Sequence, residues 1–162
     1  MLEKGISQLI AEHPFFNQMS HSYQVLIAGC GKNVRFDAGR LIAKTGDPAN
    51  QFFAIRHGRI SIELHSPEWG GIILQTVDAG DIVGWSWLFP PYRWTFDLRA
   101  TEEVRAIDFD GECLRAKCES DPAMGYDFMK RFAEVFMRRL EAARLQLLDL
   151  YGNSSTTSSI TR

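Results

Sequence analysis

The spacing of apolar residues changes twice along the chain. Leu2, Ile6, Leu9 and Ile10 recur at helical intervals, which predicts an amphipathic helix over 2–12. His13-Pro14 should end it, because proline restricts the residue before it and cannot donate to the helical ladder. Ser20 is suited to cap a second helix reaching to about residue 28, where Gly29 and Gly31 break the pattern. From residue 33 to about 109 the period shortens. Short β-type runs at 34–36, 41–42, 52–55, 59–64, 72–74, 98–100 and 104–107 alternate with turns carrying Gly39, Gly46, Gly58, Gly70-Gly71 and Gly80. Many short strands with regular glycine turns predict a sandwich or barrel rather than βαβ units. Within 59–64, Ile60, Ile62 and Leu64 are expected to share one face.

The helical period returns after Asp121-Pro122, a good N-cap followed by a residue that fits the first helical position. Met129, Phe132, Phe136, Leu140, Ala143, Leu147 and Leu150 then recur three and four apart. They predict a helix over 122–151, roughly 45 Å long at 1.5 Å per residue. A small barrel does not easily cover so long a stripe, so the far half is expected to pack on a second copy of the chain. The alternative is a helix folded back on its own barrel. Beyond Gly152 a Ser/Thr-rich stretch offers nothing to bury and is expected to be disordered.

Composition narrows the function. The chain has 162 residues, 45% hydrophobic and 23% charged, with a formal net charge of −2. That supports one domain with a real core and supplies no basic field for nucleic acid. No apolar run approaches the ~20 residues that span a bilayer, and the first residues do not read as a signal peptide; a cytoplasmic location is the expectation. Cys30, Cys113 and Cys118 are an odd, sparse set and read as free thiols in a reducing compartment. His13, His21, His57 and His65 form no His-x-His pair, and His13 reads as a surface or capping residue. No metal site, catalytic triad or phosphate loop emerges, so a non-enzymatic protein is expected. Lys130, Arg131, Arg138, Arg139 and Arg144, mixed with Glu134 and Glu141, read as a solvated helix face.

Three motifs give the fold a name. They are Phe36-x-x-Gly39-x-x-Ile42-x-x-x-Gly46-Asp47, Phe53-x-Ile55-x-x-Gly58-x-Ile60-x-Ile62, and Gly80-Asp81-x-x-Gly84. Together they resemble the sensory domain of the catabolite-activator and cyclic-nucleotide-binding superfamily, over about residues 10–150. The resemblance implies a mainly β fold with flanking helices: a double-stranded β-helix, or cupin-like jelly roll, with N-terminal helices and a long C-terminal dimerisation helix. It divides the chain into N-terminal helices (1–32), a jelly-roll core (33–110) with a phosphate-binding cassette at 80–95, C-terminal helices (111–152) and a tail (153–162). It also implies a nucleotide site. In the family a glycine and a short helix N-terminus present backbone N–H groups to the cyclic phosphate. A glutamate after the glycine holds the ribose, and an arginine on the next strand neutralises the phosphate.

Here Gly84 matches the glycine and 86–88 is placed to supply the helix N-terminus, but Trp85 stands at the glutamate and Trp94 at the arginine, with Thr95 at the hydroxyl position. Arg93 is one residue away, and on a strand a one-residue shift reverses the face. Asp97 would repel an anion if it faced the site. The candidate ligand residues are therefore Gly84, Trp85, Ser86, Trp87, Leu88, Arg93, Trp94 and Thr95. Trp85, Trp87 and Trp94, with Phe89, Tyr92 and Phe96, admit three readings: a stacking site for a flat ring, a pocket filled by its own side chains, or a surface for a partner. The implied function is a nucleotide- or small-ligand-sensing regulatory domain, homodimeric and without a DNA-binding domain, with a cyclic nucleotide or NADPH as ligand. Two alternatives stay open. One is an accessory subunit of a multi-subunit redox enzyme, similar to the small subunits of NAD-reducing soluble hydrogenases, that binds NADPH or docks a larger subunit. The other is a ligandless dimeric scaffold.

Overall fold

A computed structural model describes residues 4–156. Helices α1 (Ile6–Glu12) and α2 (His21–Ala28) precede eight strands: β1 (Gly31–Phe36), β2 (Leu41–Ala43), β3 (Gln51–His57), β4 (Arg59–Ser66), β5 (Gly70–Asp78), β6 (Ile82–Val83), β7 (Asp97–Ala100) and β8 (Val104–Asp110). Helices α3 (Gly111–Ser120) and α4 (Pro122–Thr156) follow. The strands form two antiparallel four-stranded sheets, ordered β1-β8-β3-β6 and β2-β7-β4-β5. Consecutive strands mostly lie in different sheets, as a jelly roll requires.

The core lies between the sheets, where Phe53, Ile55, Ile60, Ile62, Val83, Trp94, Leu98 and Ala106 pack together. Strand β3 is buried on both faces because its first sheet is covered outside as well. Phe53 and Ile55 point inward. Phe52 joins an outer aromatic stack, 4.6 Å from Phe109 and 5.6 Å from Trp87 between ring centres, and Phe16 packs 5.2 Å from Phe109. In β4 the expected alternation holds for Ile60 and Ile62 but not for Leu64, which is exposed. The pairing of β4 with β7 ends at Glu63↔Asp97, so Leu64 lies where only β5 flanks the strand.

Residues up to Gly125 form one compact unit and those from Tyr126 a second. The Asp121 carboxylate accepts the Met124 N–H at 3.1 Å, which is the predicted cap of α4. Helix α4 runs to Thr156, beyond the predicted end at Tyr151, so residues 153–156 are helical where disorder was expected. Residues 157–162 of that tail lie outside the described residues. In the second unit Phe128, Phe132 and Val135 are buried, whereas Leu140, Leu147 and Leu150 are 52%, 54% and 69% exposed. Helix α1 starts at Ile6, not at the predicted residue 2, and Ser20 holds the N-cap position of α2 without a capping side-chain bond. Among the described residues no helix is long and apolar enough to cross a membrane.

Two expectations are corrected here. The cysteines are not all free: Cys30 and Cys113 form a disulfide across 83 residues of sequence. The antiparallel pairing of β1 with β8 sets Gly31 opposite Phe109, and the first turn of α3 then returns Cys113 to Cys30, with Cα atoms 5.7 Å apart. Only Cys118 remains a free thiol, with burial pushing its pKa up.

His13 is buried, not a surface residue. Its Nε2 lies 3.0 Å from the Ile55 carbonyl, and its Nδ1 accepts the Phe15 N–H at 3.2 Å. One nitrogen must donate and the other accept, which is the neutral ring. Burial pushes its pKa below the ordinary value of 6.5. The unfolded chain therefore binds the extra proton first. The His13 contribution to stability is complete above that value and is lost as pH falls below it toward the folded-state pKa. Urea midpoints for the wild type should drop between about pH 7.5 and pH 5.5. A His13→Gln variant, which keeps a donor and an acceptor, should show a smaller drop; equal drops would mean that His13 does not carry the dependence.

Candidate functional site

The cassette begins where β6 ends. Gly84 has φ +103°, a conformation that favours glycine. A Cβ built there would lie 2.8 Å from the Trp94 ring and 3.2 Å from the Gln51 carbonyl oxygen. The close approach of Trp94 and the positive φ thus both require glycine, with no ligand involved.

No helix follows Gly84. Residues 86–91 form turns and bends, and the Leu88 N–H donates to the Trp85 carbonyl at 3.0 Å. The expected helix N-terminus at 86–88 is absent for a covalent reason. An α-helix from Ser86 would need N–H groups at positions 90 and 91, and both are proline. The chain instead passes through a cis Pro90-Pro91 bond to Tyr92, at φ 53°.

Residues 92–94 are then pinned to the loop after β2. Ala49 donates to the Tyr92 carbonyl at 2.7 Å, Trp94 to the Asp47 carbonyl at 2.9 Å, and Gly46 to the Trp94 carbonyl at 2.8 Å. This pairing fixes which side chains turn inward. Trp94 is buried, its ring 6.5 Å from that of Phe53 and nearly parallel to it. Arg93 is exposed and donates to the Gly46 carbonyl at 2.8 Å. Arg93 therefore does not take the place of an inward arginine.

The cavity at the cassette is lined by Gly84, Trp85, Ser86, Trp94, Thr95, Phe96 and residues of the β-core behind them, and it measures ≈ 20 Å³. That is about the room of one water, whereas ligand pockets usually hold roughly 300–1,000 Å³. Trp85 packs edge-on against Phe96 at 6.4 Å. Of the eight sequence candidates, Gly84, Trp85, Ser86, Trp94 and Thr95 line this cavity; Trp87, Leu88 and Arg93 do not. Trp87 is fully buried on the other side of the first sheet, stacked on Phe52. Leu88 is half-buried. Asp97 accepts the Thr45 N–H at 2.7 Å and its hydroxyl at 2.9 Å. Burial pushes its pKa up, but these Thr45 bonds outweigh burial and hold it below the ordinary carboxylate value.

Arg115 was not among the sequence candidates. It bonds the Trp87 carbonyl and lies 4.3 Å above the Tyr92 ring, so α3 clamps the cassette from outside. Helix α3 falls within the C-terminal helices expected over 111–152, but its approach to the cassette is not visible in residue spacing. A more capacious cavity lies elsewhere, ≈ 580 Å³ beside the Cys30–Cys113 bond.

Comparison with known proteins bears on both fold and site. A family model described as "Cyclic nucleotide-binding domain" matches residues 33–121, more than half of the chain. A cAMP-activated global transcriptional regulator of the catabolite-activator type from Mycobacterium tuberculosis is 26% identical over 117 residues, which is 72% of this chain and 50% of the regulator. The chain thus spans about half the length of the curated relatives it matches. Among solved structures, a proposed cyclic nucleotide-binding protein from Geobacter metallireducens superposes with TM-score 0.74 at 26% identity, covering 86% of this chain and 99% of the other. A cyclic nucleotide-binding domain from Methylobacillus flagellatus gives 0.78 at 16% identity, covering 88% and 83%. The catabolite activator protein of Thermus thermophilus gives 0.66 at 19% identity, covering 85% and 63%. The last two show a shared fold alone.

Proposed function

The chain belongs to the cyclic nucleotide-binding domain family, and from that premise we propose that it is a homodimeric regulatory domain whose nucleotide pocket is closed by its own Trp94. The observation that carries this reading is the ≈ 20 Å³ cavity with the indole of Trp94 against Gly84. The resemblance places an arginine at that position, where it would meet the cyclic phosphate. An indole supplies neither its charge nor its fork of donors. Trp85, where a glutamate would hold the ribose, cannot accept a hydrogen bond. The unformed cassette helix removes the convergent N–H groups as well.

In this reading the domain keeps the scaffold and conveys regulation through protein contacts rather than through cAMP in the family's usual pose. The exposed stripe of Leu140, Leu147 and Leu150 is the surface on which a second copy packs.

A thermal-shift titration with cAMP, cGMP and NADPH tests it. Ligand at 100 times its dissociation constant stabilises a fold by about 2.7 kcal/mol. No shift is expected with either cyclic nucleotide at about 1 mM, a concentration that reveals dissociation constants of roughly 10 micromolar or tighter by this arithmetic. A saturable shift with cAMP would refute the closed pocket. A shift with NADPH alone would instead favour the accessory subunit of a redox enzyme.

A further inference from the structure

We propose that the Cys30–Cys113 bond is a thiol–disulfide exchange site, entered by a neutral or cationic thiol through the acidic cavity beside it, and that its reduction loosens the cassette. Both cysteines line the ≈ 580 Å³ cavity, together with Lys32, Asp108, Asp110 and Glu112. Cys30 is buried and Cys113 half-buried, so Cys113 Sγ is the sulfur an incoming thiolate reaches. Three carboxylates against one ammonium repel an anionic thiol and admit a neutral or positive one.

The exchange balances with two equivalents of thiol. The first thiolate bonds to Cys113 Sγ, the disulfide breaks, and Cys30 leaves as a thiolate that takes a proton from water. The second thiolate attacks the outer sulfur of the mixed disulfide and frees Cys113. The protein disulfide is reduced to two thiols and the reductant is oxidised to its own disulfide.

The bond ties the first turn of α3 to the end of α2, and that turn holds the cassette. The Gly111 N–H donates to the Asn50 carbonyl at 2.7 Å. A Cβ at Gly111 would lie 2.7 Å from Trp87 Cβ, so the α3 backbone sits directly on the cassette tryptophan. One turn further, Arg115 holds the Trp87 carbonyl and covers Tyr92. Cutting the tie frees the segment that carries Gly111 and Arg115. The β4–β5 hairpin, in the opposite sheet, does not depend on it.

The test uses the full chain with Cys118→Ser, which leaves only the paired cysteines. Before reduction neither should react with iodoacetamide; after reduction both should. Cysteamine, a cation, should open the bond roughly tenfold faster than 2-mercaptoethanesulfonate at equal thiolate concentration and low salt. Hydrogen exchange should then rise several-fold in 85–92 and 111–118 and stay unchanged in 60–77. Two free thiols in the air-oxidised protein, equal rates with the two thiols, or unchanged exchange in 85–92 would each overturn the proposal. Exchange rising equally in 60–77 would overturn it too, since the bond would then be a staple for the whole fold.

Discussion

Trp85→Glu together with Trp94→Arg should give a chain that binds cAMP more tightly than the wild type does. The backbone at 92–94 is held by main-chain bonds to 46–49, so replacing the indole leaves the strand in place. The new guanidinium would project inward along the path of Trp94, toward Gly84. Its charge-assisted bonds to a phosphate contribute about 1.5–3 kcal/mol each, and each 1.4 kcal/mol is about tenfold in affinity. Without ligand the double variant should melt lower than wild type, because a buried aromatic contributes about 3–5 kcal/mol when truncated to alanine and an unpaired buried guanidinium is costly. With cAMP the melting temperature should rise saturably, and with adenosine it should not. Trp94→Arg alone should bind more weakly than the pair. If the folded double variant shows no cAMP-dependent shift, the lost clamp is not what disables the site.

Leu140→Glu with Leu147→Glu should separate a dimer into monomers. Phe136, Leu140, Ala143, Leu147 and Leu150 follow one another at four, three, four and three residues, the seam spacing of paired helices. The leucines of this seam are exposed in the single chain. Burying each contributes about 1.5–3 kcal/mol, and glutamates at the seam add repulsion. Light scattering should give twice the chain mass for wild type and half that value for the variant, with unchanged β-sheet circular dichroism. A monomeric wild type at tens of micromolar would remove the second copy from the account.

The turns were the most readable part of the sequence. Gly39, Gly46, Gly58, Gly80 and Gly84 all adopt positive φ, as turn glycines do, and seven of the eight strands overlap the expected β-type runs, while the two-residue β6 between Gly80 and Gly84 was not expected. The inward direction of Trp94 was readable too, by counting back two-residue steps from Leu98 and Ala100, which are buried. The missing cassette helix was also within reach, because Pro90 and Pro91 lack the N–H groups it needs. Other features depend on contacts that residue spacing does not encode. Cys30 meets Cys113 only through the pairing of the first strand with the last. His13 is buried because its ring meets the Ile55 carbonyl, 42 residues away in sequence. Arg115 reaches the cassette only once α3 turns back on β8. A lone arginine in a polar helix gives no hint of that role.

Fluorine NMR of 5-fluorotryptophan-labelled protein is the most direct test of the closed pocket. Trp94→Phe identifies the Trp94 resonance. One Trp94 signal is expected, its shift and width constant as cAMP is added to roughly hundredfold excess over protein, the ratio that saturates a site when the protein concentration is near its dissociation constant. A Trp94 signal that moves saturably with cAMP, or a second signal that grows in with it, would mean the indole leaves the pocket to admit the nucleotide. The pocket would then be open to the nucleotide rather than closed by Trp94.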